Sequence, residues 1–141
     1  MHVHLLQDEH LTVVQGKMGA LIEGAQPVYY TEGQSGTFLH CVAHRFWNAG
    51  EQPLICRGWI KPIDNIEYFL TEIFNSTKAN GGKRPELYDS AFLMHRYKTE
   101  FDMTEIPPFV KTFIFPIILF IGKFLGKYKK FADAPAPARP R

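Results

Sequence analysis

Along this chain the rhythm of apolar and polar positions changes once, near Pro62. Before it lie short runs rich in β-branched and aromatic residues and bounded by glycine. They are HLTVVQG (10–16), GALIEG (19–24), PVYYTEG (27–33) and GTFLHCV (36–42). PLICRGWI (53–60), between Pro53 and Pro62, is a further one. Runs of this length and spacing predict the strands of a sandwich or barrel. After Pro62 the period lengthens. Ile66, Phe69, Leu70, Ile73 and Phe74 recur at the intervals of one helix face. Asp64 with Glu67 predicts the N-cap and its reciprocal partner, and NGG (80–82) ends the helix. A second helix is expected from Pro85, with Leu87, Ala91 and Met94 on one side, and a third near Pro107 and Pro108. Strands followed by helices predict a mainly β fold with α-helices behind it, in one compact unit.

The third helix has its own pattern. TFIFPIILFIG (112–122) carries no charge and stands between Lys111 and Lys123. Crossing a bilayer takes about twenty apolar residues, so this run is too short by itself. Pro116 is expected to kink it. Three readings stay open: a helix buried against its own domain or a partner subunit, an interfacial helix with lysines at the headgroups, and a true span. The tail, DAPAPARPR, has little to bury and is expected to be extended and mobile. The expected segments are therefore 1–62, 63–131 and a disordered 132–141.

Composition adds bounds. At 141 residues and 45% apolar, the chain can build a core of ordinary size. A formal charge of +2 is too small to argue for nucleic acid. The basic excess sits late, at Lys111, Lys123, Lys127, Lys129 and Lys130, so peripheral membrane contact is expected, if anywhere, from 108–130. Cys41 and Cys56 make no disulfide framework, and no basic region followed by an apolar run opens the chain. A cytoplasmic location is the expectation.

The candidate chemistry begins at MHVHLLQDEHLTVVQG (1–16). His2 and His4 are two apart, so on a strand they share a face. A bend through Gln7 and Asp8 would return Glu9 over that face. Imidazoles and a carboxylate suit zinc, iron, manganese, nickel or copper without selecting among them, and exposed strands often carry such residues without a metal. A second stretch, GQSGTFLHCVAHRFWNAG (33–50), holds His44 with Asn48 four residues on.

Together the two stretches resemble the paired motifs of the cupins. The first family motif is matched by His2-Val3-His4, four residues, Glu9, six residues and Gly16. The second is matched by Gly33, five residues, Leu39-His40-Cys41, two residues, His44, three residues and Asn48, with Leu39-His40-Cys41 standing where the family has Pro-x-Gly. The resemblance covers 2–60. It implies a jelly-roll β-barrel in which His2, His4, Glu9 and His44 bind one divalent transition metal (iron, manganese, nickel, zinc or copper). Gln7, His10, His40 and Asn48 are candidates for orienting these ligands or lining the pocket. His40 and Cys41 have the alternative of facing solvent and of packing.

Cupins have strands ahead of His-x-His, whereas here Met1 directly precedes His2. Either the protein starts further upstream or the barrel lacks its first strands. An unpaired edge would then need cover, from a second subunit or from the C-terminal helical segment. A homodimer is the expected assembly. Phe38, Phe46, Trp47 and Trp59 are expected in the core, favouring a small ligand that is apolar or aromatic. No catalytic residue is assigned. Tyr29, Tyr30 and Glu23 are the acid or base candidates, and each also has a structural reading. Three functions follow: a metal-dependent dioxygenase, isomerase or decarboxylase; a non-catalytic metal- or small-molecule-binding module; and a structural or membrane-peripheral protein with a vestigial site.

Overall fold

The structure is a computed structural model and describes residues 1–139. The chain divides into two compact units rather than one. Residues 1–63 with 102–105 form a strand unit, and 64–101 with the described residues from 106 onward form a helical unit. Among the described residues there are eight strands and three α-helices, so the fold is mixed and the expectation of a mainly β chain is corrected. The helical unit is too large a share of the chain to count as an appendage.

In the strand unit, β1 (His2–His4), β2 (Asp8–Gln15), β3 (Met18–Ile22), β4 (Val28–Tyr30), β5 (Ser35–Phe38), β6 (His44–Asn48) and β7 (Ile55–Lys61) follow in chain order. The last strand, β8 (Phe101–Met103), arrives after two helices. Five strands make one sheet in the order β4-β3-β6-β1-β8, and three make a second in the order β5-β2-β7. The pairings β1–β6, β2–β5, β2–β7, β3–β4 and β3–β6 are antiparallel. No hydrogen-bonded closure joins the two sheets among the described residues, so the closed barrel expected from the sequence is not formed.

Period-two burial is clearest in β5, where Gly36 and Phe38 are buried and Ser35 and Thr37 are exposed. In β2, Glu9 and Val13 are buried while Val14 and Gln15 face solvent. Two glycines permit the sheets to fold this tightly. Gly16 turns β2 into β3 with φ +87°, a left-handed conformation that side chains rarely adopt. Gly19 lies across from Trp47 in the β3–β6 register, and a Cβ there would run into the indole.

The free side of β1 is covered from within the chain. β8 pairs along it, Thr104 N–H donates to the Met1 carbonyl, and the terminal ammonium of Met1 pairs with Glu105. The expected 36–42 strand ends early, at Phe38. Residues 39–42 turn instead: Cys41 adopts φ 61°, its N–H bonds the His4 carbonyl, and Val42 N–H bonds the Leu39 carbonyl. Phe38 is buried at 2% exposure, but Phe46 and Trp59 stand 39% and 42% exposed, which corrects their placement in the core. Trp59 occupies an outward position of β7, stacked on His10, whereas Phe46 shares the face of His44 and is open to solvent beside His2.

In the helical unit, α1 (Ile66–Ala79) begins after Asn65, not Asp64, and no side chain caps it. The Asn65 side chain is engaged elsewhere: its amide donates to Glu100 and to the Ala136 carbonyl. Helix α2 (Leu87–Arg96) starts two residues beyond Pro85, with the Glu86 carboxylate accepting from the N–H groups of Tyr88 and Asp89. A five-residue π-helical turn, Val110–Ile114, leads into α3 (Phe115–Phe124). The run is helical without a break from Pro108 to Phe124, and Pro116 stands inside it, two residues past the π turn. The irregularity expected at that proline is displaced to the π turn ahead of it. Residues 134–138, within the tail expected to be mobile, are held by hydrogen bonds. Arg96 donates to the Ala134 and Pro135 carbonyls, Tyr97 to Pro135, and Ala138 N–H donates to the fully buried Glu100. The final two residues of the tail lie outside the described residues.

Candidate metal centre

The pairing of β1 with β6 sets His2 opposite His44. His4 follows on the same face of β1, because alternate residues of a strand point the same way. Glu9 comes from the other sheet, on β2 between Phe38 of β5 and Ile60 of β7. The three imidazoles of one sheet thus meet the carboxylate of the other. Nε2 of His44, His4 and His2 lie 3.0, 3.5 and 3.7 Å from the same oxygen, Glu9 Oε2. One ligand atom from each of the four residues falls within a mutual distance of 4.8 Å. Ligands about 2.1 Å from a central ion stand roughly 3.0–3.4 Å from one another, so the spacing suits a bound cation with small adjustments.

Burial grades across the cluster. The side chains of His44, His4 and Glu9 are 0%, 5% and 8% exposed, whereas His2 is 32% exposed. Solvent therefore reaches the cluster on the His2 side. The ring of the half-exposed Phe46 stands 6.3 Å from that of His2. Behind the cluster, Phe38 stacks on His44 with centroids 4.3 Å apart and planes 8° from parallel.

Hydrogen positions on His44 follow from its partners. Nδ1 lies 2.9 Å from the Val42 carbonyl, which only accepts, so Nδ1 carries a hydrogen. Nε2 then faces Glu9 Oε2, another acceptor. With a cation among the four residues, the neutral ring turns a lone pair toward it. Holding one ring nitrogen on a backbone carbonyl while the other faces the ion is a usual support for a metal-binding histidine. At Glu9, burial raises the carboxyl's pKa, but hydrogen bonds from His2, His4 and His44 and the charge of His4 outweigh it. The group is held well below the usual carboxylate range and is an anionic donor.

The other candidate residues have different placements. Gln7 is fully buried on the connection between β1 and β2. His10 is on the outward face of β2, stacked on Trp59, with its ring nitrogens bonded to Thr37 and Thr12. His40 is exposed and bonded to Asp8, whose carboxyl is pulled below its ordinary pKa by the backbone and side chain of His40. Asn48 braces its own turn, donating to the Gln52 carbonyl and accepting from Gly50 N–H. The hydrogen bonds of these last three run away from the imidazoles, so they do not orient the ligands. The Val42 carbonyl does, a role that sequence reading missed because any residue type can supply it. Cys41 is exposed. Tyr29 packs edge-on to Trp47 beneath Lys17, Tyr30 lies over Gly36, and Glu23 is exposed, so the acid or base candidates are not gathered around the cluster.

No family model matches the chain, and no curated protein matches it. Among solved structures it is similar to the crystal structure of a "putative sugar phosphate isomerase" from Acidithiobacillus ferrooxidans. The two are 26% identical over 45% of this chain and 40% of that one, with a TM-score of 0.40. The chain thus matches less than half of that protein's length.

Proposed function

We propose that this chain is a cupin-type protein whose strand unit binds one divalent transition metal through His2, His4, Glu9 and His44. The observation that carries the reading is the convergence of three Nε2 atoms on Glu9 Oε2 between the two sheets. Three neutral imidazoles and one carboxylate leave a divalent ion with net positive charge. Such an ion supplies Lewis acidity or oxygen activation when it keeps an exchangeable position. The chain's part is to hold the ligands, to close the site on the Phe38 side, and to admit a small organic molecule past His2 and Phe46. Reaction types compatible with this set are those of dioxygenases, isomerases and decarboxylases.

A second reading is a metal- or small-molecule-binding module without catalysis. It is favoured by the absence of Tyr29, Tyr30 and Glu23 from the cluster, which leaves no assigned proton carrier beyond the ligands. Titration of the metal-free protein with cobalt(II) separates the possibilities. The proposal predicts a visible d–d absorption saturating at one equivalent, and a shift of that band when azide or a small carboxylate is added. A saturating band that no added ligand perturbs would favour the non-catalytic module. Absence of any band would remove the metal reading.

A further inference from the structure

The helical unit carries a surface that the metal centre does not use. Helix α3 seats one side inside its own unit: Phe115 is buried, and Gly122 is packed so closely by Tyr128 and Tyr88 that a Cβ would clash with both rings. Its other side is bare. Phe120 and Phe124 are 75% and 85% exposed, and Ile117 on the same face is also exposed. The face continues through the π turn to Phe113 and back to Phe109, both exposed. The positions 109, 113, 117, 120 and 124 advance by four, four, three and four residues, which draws a single stripe. A contiguous stripe of large side chains calls for an occupant, unlike singly scattered exposed residues.

Charge distinguishes between occupants. Residues 106–132 contain five lysines and no Asp or Glu. Lys130 is paired with Asp89 and Lys127 lies over the ring of Tyr88, while Lys123 and Lys129 stand exposed. A second copy of the same stripe would bring lysines against lysines with no acid to answer them. An anionic lipid surface answers the lysines with headgroups and the phenylalanines with the acyl boundary. Length fixes the mode. The continuous helical run that carries the stripe, 108–124, extends roughly 25 Å, less than a bilayer's hydrocarbon core of about 30 Å. No helix among the described residues is long and apolar enough to cross a membrane.

We infer that the Phe109–Phe124 stripe is a membrane-docking surface, which lies in the headgroup region of an anionic bilayer without crossing it. The inference is independent of the metal reading. It is tested with the full chain by co-sedimentation with phosphatidylcholine vesicles, with and without phosphatidylglycerol. Binding is expected to the anionic vesicles, to weaken with salt, and to fall about tenfold or more in Phe120→Glu/Phe124→Glu, since each ring gives up its burial. Both positions are exposed, so the variant should keep its circular dichroism. A Phe120→Trp variant gives a second readout, an emission shift to the blue only when anionic vesicles are present. Folded wild-type protein that stays in solution, or binding that survives the two glutamates, would overturn the inference. So would a wild-type dimer dissociated by those glutamates, which would give the face to a second copy.

Discussion

Stripping the metal from the purified protein should lower the thermal midpoint of the strand unit by about 10 °C or more. A ligand that binds only the folded state adds RT ln(1 + [L]/Kd), about 4 kcal/mol when the free metal stands a thousandfold above its Kd. For a unit of this size that increment corresponds to a shift of roughly 15–30 °C. The physical origin lies in the two sheets. His2, His4 and His44 come from one and Glu9 from the other, and no hydrogen-bonded closure ties those sheets together among the described residues. A cation among the four ligands would supply the missing tie. Both tryptophans, Trp47 and Trp59, are in the strand unit, so their fluorescence reports on it. The measurement is fluorescence melting before and after chelation and again after metal is restored.

Replacing Glu9 by glutamine should weaken metal binding on the order of 100-fold or more, measured by competition with a chromophoric chelator. Substitutions that merely disturb the support of a ligand already cost 10–100-fold. Glu9→Gln removes a ligand, and it removes the only negative charge among the four. The amide is nearly the same shape, so cavity formation is not the cause of the loss. Its consequence for stability is specific: the rise in midpoint on adding metal should disappear from this variant. If the midpoint still rises with metal by the wild-type amount, the ion is bound elsewhere.

The cluster was legible in the sequence because its spacing is local chemistry. His2 and His4 share a face through the two-residue period, and Glu9 is reached by the bend at Gln7–Asp8. His44 is distant in the chain, and the second stretch's resemblance to a family motif, not periodicity, points to it. The support around the cluster was not legible in that way. The Val42 carbonyl is a backbone group, and the turn that presents it depends on Cys41 adopting positive φ, which residue type did not suggest. Proximity in sequence makes His10 and Asn48 candidates, but the alternation of β2 sends His10 outward, and a tight turn claims Asn48.

At the level of the fold, strand existence was easier to read than pairing. The apolar runs before Pro62 mark β2, β3, β4, β5 and β7 within a few residues, whereas β8 is three residues inside the helical half of the sequence. A strand that short has no period to detect. It is the element that covers β1. The start of α1 was misplaced because Asp64 looks like a cap by composition, while tertiary bonds from Asn65 to Glu100 and Ala136 decide the local geometry. Phe46 and Trp59 show the same limit from the other side: aromatic bulk argues for burial, but alternation places Trp59 outward, and Phe46, on the face of His44, stands at the open side of the cluster.

The central claim is that His2, His4, Glu9 and His44 hold one metal ion, and elemental mass spectrometry tests it most directly. The protein is purified without a histidine tag beside a His4→Ala/His44→Ala double variant, and each is checked for folding by circular dichroism. The account predicts close to one equivalent of iron, manganese, nickel, copper or zinc in the wild type and almost none in the variant. Folded wild-type protein that carries no metal and takes none up on titration, or a variant that keeps its full equivalent, would contradict it.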